Sequence, residues 1–417
     1  VKRIDSWPRP AVPQLEGEAA PVRLFDTAAE AVLPLEADAD GRVRLYVCGI
    51  TPYDATHLGH AATYLAFDTL IRALSQAGVE VEYAQNVTDV DDPLLERAAK
   101  TGVDWEDLAE SQTDLFRGDM AALRAIPPNA YVRVKDVVDE IADAVDRLVA
   151  DGFGYAVPTD DAEGEDIYFD VAAVQATGRY GLGEMSHFSP DKLASAFVEF
   201  GGDPDRPGKR SPFDPLLWRA HREGEPSWDA GVGPGRPGWH VECAVIATRE
   251  LGPQVTVQAG GRDLRFPHHE MTCAHATALT GEPFARHFAH AGLVAYEGTK
   301  MSKSLGNLVL VSKLTQAGHD AAAVRLTVLG HHYRSDWEWY AGELDDNEAR
   351  LARWREAAHR ATAGGSETVA EMRARIADDL DTAGAIAAVD AWASTANPGT
   401  EVVTAVDALL GIDLLAS

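Results

Sequence analysis

An apolar run at Val43, Leu45, Tyr46 and Val47 leads into His57-Leu58-Gly59-His60, and a helical pattern through Leu65, Leu70 and Leu74 follows. A strand that hands over to a helix at such a string confines the chain to an α/β fold whose strand ends receive phosphate. The helix N-terminus offers unpaired N–H groups and the positive end of its dipole. Two imidazoles one turn apart, with a glycine that lets backbone approach closely, suit the charge that develops on an α-phosphoryl group under attack. About 240 residues further on, Lys300-Met301-Ser302-Lys303-Ser304 puts two ammonium groups on a Ser- and Gly-containing loop, a clamp for the outer phosphates. Either string alone is weak, since His-x-Gly-His arises by chance and a lysine loop is usually solvated surface. Both in this order, each in the expected context, point to adenylate-forming chemistry on a nucleotide-binding α/β fold. His57, His60, Lys300 and Lys303 are its expected catalytic residues.

The chain has 417 residues, enough for two or three domains with full cores. It contains no apolar run near the length of a membrane span, and Val1–Pro13 lacks the apolar stretch of a signal peptide. Three widely spread cysteines make no disulfide framework, so a reducing cytoplasm is the expected location. The net charge of −29 disfavours a polyanionic partner, because nucleic-acid binding draws its affinity from neutralised phosphates. Neither nucleic acid nor membrane is expected as a partner, and a monomer is the expected state.

Residues 1–36 are Pro-rich and acidic, an N-terminal extension with one strand near Pro21–Phe25. Strand, helix and strand then follow at Val43–Cys48, Ala61–Ala77 and Val79–Asn86, a βαβ unit, with a helical stretch over Pro93–Leu123. Residues 128–235 lose that rhythm and carry loop-rich runs, as an inserted domain would. Alternation resumes with a helix at Trp239–Leu251, a strand at Val255–Ala259, a helix at His268–Leu279 and a strand near His290–Val294. The expected layout is a parallel-sheet catalytic domain at 37–127 and 236–296, split by the insertion. A lysine-loop domain at 297–346 and a C-terminal helical bundle at 347–417 complete it.

Cys48 ends the first strand, Cys243 lies on the helix after Gly238-Trp239-His240, and His268 opens Pro267-His268-His269-Glu270. Two thiolates and an imidazole over the carboxyl ends of adjacent strands suit Zn²⁺, with a fourth position left for a substrate thiol. No short Cys-x-x-Cys spacing anchors this, so the signal is weak, and on the residues alone two buried structural cysteines with a surface histidine are the better reading. Asn86-Val87-Thr88-Asp89-Val90-Asp91-Asp92 either holds an amino group or caps the next helix. Gly260-Gly261-Arg262-Asp263 permits close approach to a nucleotide, or is simply a turn.

Taken together, the segments from Tyr46 to Trp339 resemble cysteinyl-tRNA synthetase, a class I aminoacyl-tRNA synthetase. The matches are Tyr46–Asp54, His57–His60, Asn86–Asp92, Gly238–Cys243, Phe266–Glu270 and Lys300–Ser304. The resemblance implies a Rossmann-type parallel sheet with an inserted connective domain, ATP (with Mg²⁺) and L-cysteine as substrates, and one Zn²⁺ on Cys48, Cys243 and His268. It places Thr56, His57, Gly59, His60, Gly260, Gly261, Asp263, Lys300, Met301, Ser302, Lys303 and Ser304 around ATP. It places Cys48, Gly49, Thr51, Asn86, Thr88, Trp239 and Asp263 around cysteine.

Three departures narrow it. Thr272 stands where the synthetases carry a fourth, acidic zinc ligand, so three protein ligands and an exchangeable position are expected; Cys273 is badly placed to substitute. Ala259 shortens the glycine run before Asp263. The tail from 346 to 417 holds six arginines, no lysine and twelve acidic residues, a poor composition for reading an anticodon. That combination resembles the actinobacterial relatives of these synthetases, the cysteine ligases of mycothiol biosynthesis, whose acceptor is the amine of glucosaminyl-inositol. The strings Gly49–His60 and Gly233–His240 carry that narrower likeness. A minimal cysteinyl-tRNA synthetase and a catalytically silent, cysteine-binding paralogue are the alternatives.

Overall fold

The computed structural model describes residues 2–53, 56–301 and 306–416, with the backbone alone at Lys300. Its centre is a five-stranded, wholly parallel sheet of β1 (Arg42–Ile50), β2 (Glu80–Val87), β3 (Ala130–Arg133), β4 (Val255–Gly261) and β5 (Ala285–Ala291). The spatial order is β5-β4-β1-β2-β3. The chain steps outward from β1 through β2 to β3, then returns to lay β4 on the other side of β1. Connections leave in opposite directions at β1 and β4, which opens a crevice at their carboxyl ends.

The pleat decides which residues meet which layer. Val43, Leu45 and Val47 join the core beneath α1 (Leu58–Gln76), whereas Tyr46 and Cys48 belong to a second core. Helices α3 (Trp239–Leu251) and α4 (Glu270–Thr280) cover that second side. Helix α1 begins at His57 and α3 at Trp239, so both layers deliver chemistry-bearing residues to one edge of the sheet.

The expected helical stretch over Pro93–Leu123 is two helices, α2 (Asp92–Thr101) and Trp105–Ala122. Gly102, at φ 69°, ends the first, and the Asp104 carboxylate accepts from Glu106 N at 2.8 Å to start the second. The insertion also differs in extent from 128–235. Ala130–Arg133 is the edge strand of the parallel sheet, too short for its pattern to declare itself. Arg236 and Pro237 instead belong to the inserted four-stranded antiparallel sheet of Gly154–Pro158, Glu165–Phe169, Leu216–Ala220 and Gly235–Pro237. The helix expected at His268–Leu279 becomes regular only at Glu270, after an irregular turn over Arg265–His269.

The tail folds into helices Ala341–His359, Ser366–Ala377, Thr382–Ala393 and Thr400–Ala405. It is locked to the catalytic layer by buried charge. Asp68 on α1 accepts from Arg72 Nε at 2.9 Å and from Arg325, whose Nε reaches Leu410 O at 2.5 Å. Arg72 also donates to Asp407 O at 3.0 Å. Among the described residues no helix is long and apolar enough to cross a membrane.

Candidate active site

A cavity of about 660 Å³ opens over the carboxyl ends of β1, β2 and β4. Of the residues expected at the site it is lined by Cys48, Gly49, Thr51, His57, Gly59, His60, Thr88, Trp239, Cys243, Gly261, Asp263, His268 and Met301. Thr56, Asn86 and Gly260 stand behind this lining. Thr56 is buried and its carbonyl accepts from Val311 N at 3.1 Å. Ser302, Lys303 and Ser304 lie outside the described residues.

His57 is the N-cap of α1, its Nδ1 accepting from Gly59 N at 3.1 Å. Its ring stacks on His60 with centroids 3.9 Å apart and planes at 26°. Gly59 is required for this, because a Cβ there would sit 2.8 Å from His57 Cε1. The two imidazoles thus form one block at the helix N-terminus, where the dipole already favours an anion. The strand-like segment after the lysine loop closes on the same turn, with Leu58 N donating to Val309 O at 2.9 Å.

At the end of β1, Gly49 N donates to Asn86 Oδ1 at 2.8 Å and Tyr46 Oη donates to the same atom at 3.1 Å. Asn86 Nδ2 donates to Thr88 Oγ1 at 2.8 Å. Fully buried Asn86 therefore braces the strand ends, and Thr88 is the member of its run that meets the cavity. Any Cβ at Gly49 would collide with Asn86 O at 1.6 Å. Asp91 caps α2 through Asp92 N at 2.9 Å, and Asp89 accepts from Lys135 N at 2.9 Å.

Cys48, Cys243 and His268 come together as a buried trio whose donor atoms all lie within 4.8 Å of one another. The two Sγ atoms are 4.0 Å apart, and His268 Nε2 is 3.3 Å from Cys243 Sγ. Two sulfurs and an imidazole at these separations match the edges of a tetrahedral Zn²⁺ site, and the trio borders the cavity, so the residues fit that ion. Burial and the neighbouring Cys243 push the Cys48 thiol well up, a direction that a cation held between them reverses. Thr272 donates to His240 O at 3.4 Å, and Cys273, pushed up to about 12 by burial, is not part of the trio.

Behind His268 lies a partner that spacing did not reveal. His240 Nδ1 and His268 Nδ1 are 3.0 Å apart, and burial lowers His240 to about 3 and His268 well below the ordinary range. Both rings are therefore neutral, and one proton is shared between the two Nδ1 atoms. With Nε2 turned to the sulfurs, a proton on His268 Nδ1 donated to His240 would set the tautomer that suits holding a metal through Nε2. Trp239 stacks on His268 at 4.1 Å and 19°, making one wall of the cavity. The Trp-His pair was visible in the sequence, but its ring partner lies 28 residues away.

Gly260 and Gly261 serve different neighbours. A Cβ at Gly260 would meet His269 Nε2 at 2.9 Å, and one at Gly261 would meet Asp263 Oδ1 at 2.6 Å. The second glycine thus lets the Asp263 carboxylate fold back over the strand end and reach the cavity.

A parallel sheet with a histidine pair at a helix N-terminus and a thiol-imidazole trio at the same edge defines a nucleotide-binding α/β protein of synthetase type. Residues 34–349 match the family model for tRNA synthetases class I (C) catalytic domain, and the chain belongs to that family. A relative from Clavibacter michiganensis subsp. michiganensis (strain NCPPB 382) is 58% identical over 98% of each chain; its name is L-cysteine:1D-myo-inositol 2-amino-2-deoxy-alpha-D-glucopyranoside ligase. A relative of the same name from Micrococcus luteus is 54% identical over 99% of this chain and 98% of its own. Among solved structures, Mycobacterium tuberculosis methionyl-tRNA synthetase bound by methionyl-adenylate superposes with a TM-score of 0.62 at 15% identity, covering 89% of this chain and 92% of that one. The Agrobacterium radiobacter K84 leucyl enzyme in its tRNA complex gives 0.61 at 12% identity, covering 91% and 84%. Likeness at those identities speaks for the fold.

Proposed function

We propose that the chain is an AMP-forming ligase that joins L-cysteine, through a cysteinyl-adenylate, to the amine of glucosaminyl-inositol, a step of mycothiol biosynthesis. The observation that carries this is identity of 58% along 98% of both chains with a ligase named for that reaction. The buried trio beside a nucleotide-type cavity supports cysteine as the amino acid.

Cysteine would lie with its side chain toward Cys48, Cys243 and His268, its amino group toward Thr51 and Thr88, and Trp239 closing the pocket. A zinc ion on the trio would supply a soft-tolerant site for the substrate thiolate, which the harder, poorly acidic hydroxyl of serine cannot match. The cysteine carboxylate attacks the α-phosphorus of ATP, a P–O bond forms, and pyrophosphate leaves with the electrons of the bond to the β-phosphate. His57 and His60 stabilise charge on the α-phosphoryl oxygens, and Lys300 and Lys303 on the departing phosphates, which travel with Mg²⁺. Asp263 orients the ribose or the substrate amine. The neutral sugar amine then attacks the acyl carbon, an amide forms, AMP leaves, and the amine's proton passes to solvent or a nearby base. A cytoplasmic, monomeric enzyme without a nucleic-acid partner completes the reading.

The test is an acceptor competition with purified protein, Zn²⁺, Mg²⁺, ATP and labelled cysteine. Glucosaminyl-inositol and cognate tRNA are supplied in separate reactions. Label in the sugar amide with none on tRNA is the expected result. Label on tRNA would make the chain a minimal synthetase, and AMP formation in neither reaction would make it a silent paralogue.

A further inference from the structure

The cavity has a side that neither cysteine nor ATP accounts for. It is built by α2, which lines the opening with Pro93, Glu96, Arg97 and Lys100. Those positions recur at i, i+3, i+4 and i+7, so one face of the helix is turned to the cleft. The opposite face buries Leu94 and Ala98 against the protein. Helix α2 is also held in place from two sides. Its N-cap is Asp91, and Asp92 pairs with Arg236, a side chain only 4% exposed that also binds Glu225 at 2.9 Å. The inserted domain thereby fixes the angle at which this face meets the cavity.

The charge pattern of the face selects among acceptors. A carboxylate followed along the face by a guanidinium and an ammonium offers both acceptors and donors, which suits vicinal hydroxyls, since each hydroxyl both donates and accepts. Phosphate groups on an RNA end would meet the guanidinium and ammonium but be repelled by Glu96. The overall charge of −29 adds to that repulsion. Glu96 and Lys100 are exposed at the mouth, where the part of an acceptor remote from the reacting amine must lie.

We propose that the Pro93–Lys100 face of α2 is the acceptor subsite, with Glu96, Arg97 and Lys100 reading the hydroxyls of the polyol end of an aminosugar–polyol. This rests on the ligase reading above and assigns the other substrate of the same site. Remote binding of this kind places the amine for attack without touching the adenylation step.

The experiment measures two reactions in the metal-loaded full chain: cysteine-dependent ATP–pyrophosphate exchange, which needs no acceptor, and amide formation at varied glucosaminyl-inositol. Glu96→Gln is expected to raise the acceptor KM by roughly tenfold or more while exchange stays within about twofold, as loss of a charged hydrogen-bond partner predicts. Glu96→Lys should raise it further, and Lys100→Ala should raise it less. An unchanged acceptor KM in the variants, with the wild type active, overturns the subsite and leaves the ligase reading intact. Equal loss of exchange and of amide formation overturns it too, by assigning the face to adenylation. No amide from the wild type itself fails the ligase reading and removes the subsite with it.

Discussion

Cys48 Sγ and Cys243 Sγ lie 4.0 Å apart although 195 residues separate them. Cys48 is carried by β1 and Cys243 by α3, the helix that packs on the same side of the sheet. Two buried thiols at that distance, with the His268 imidazole beside them, form a donor set whose geometry the sheet and α3 impose. The arrangement yields a direct expectation for the metal.

Cys243→Ser should abolish stoichiometric zinc in the purified protein, because a neutral hydroxyl is a poor replacement for one of three protein ligands. The preference for cysteine over serine in ATP–pyrophosphate exchange should fall with it. Metal analysis by mass spectrometry reads the first effect and competing amino acids the second. Zinc retained at one ion per chain would remove Cys243 from the ligand set.

Lys303→Ala tests the clamp. The segment that follows the lysine loop is hydrogen-bonded to the histidine turn through Leu58 N to Val309 O at 2.9 Å and Val311 N to Thr56 O at 3.1 Å. The base of the loop is therefore anchored where the α-phosphate would bind. Loss of one cation that meets charge mainly in the transition state should slow exchange about 10²-fold or more. Cysteine affinity, measured by calorimetry, should change little. An unchanged exchange rate would remove the clamp role.

Asp68→Ala tests the joint between the catalytic layer and the tail. Its carboxylate is buried, as are Arg72 and Arg325, which donate to it. Burial acts to raise its pKa, but the two guanidinium groups prevail and hold it below the usual carboxylate value. Removing the carboxylate leaves two buried cations without a counter-charge, which destabilises by about 3–5 kcal/mol. Denaturant unfolding measures this, and adding Arg325→Met should recover part of the loss. A change below about 1 kcal/mol would mean that the carbonyl partners alone suffice.

These relationships mark how far the sequence was readable. The His57–His60 turn was legible because strand, turn and helix are contiguous, so one local pattern sets both rings at the start of α1. The sulfur-imidazole trio was legible only through resemblance, since β1, α3 and the turn before α4 bring it together across the fold. His240 behind His268 left no separate signal, because a ring pairing across 28 residues depends on the packing of two helix starts. Edge strand β3 escaped because four residues are too few to distinguish a parallel strand from an insertion's first strand. The acidic run after β2 was ambiguous for a physical reason: the same carboxylates that can hold an amine also cap helices and bind loop N–H groups. Asp91 and Asp89 do the latter.

Asp89 itself gives a pH-dependent expectation. Its side chain is buried, with Oδ1 accepting from Lys135 N at 2.9 Å, and burial pushes its pKa up from 3.8 to about 7. The folded protein therefore holds a proton on this group between about pH 4 and pH 7 where the unfolded chain has lost it. Stability attributable to Asp89 falls as pH rises through that window, and the full penalty is present above it. Asparagine reproduces the protonated form, since its Oδ1 still accepts from Lys135 N and its Nδ2 stands where the proton-bearing oxygen was. Asp89→Asn should thus be near neutral at about pH 4 and more stable than the wild type at pH 8, by on the order of 2–4 kcal/mol. Denaturant unfolding at the two pH values measures the gap. A gap that stays constant or narrows with rising pH would mean that the neighbouring Lys135 and Arg133 charges already stabilise the ionised carboxylate in the folded state.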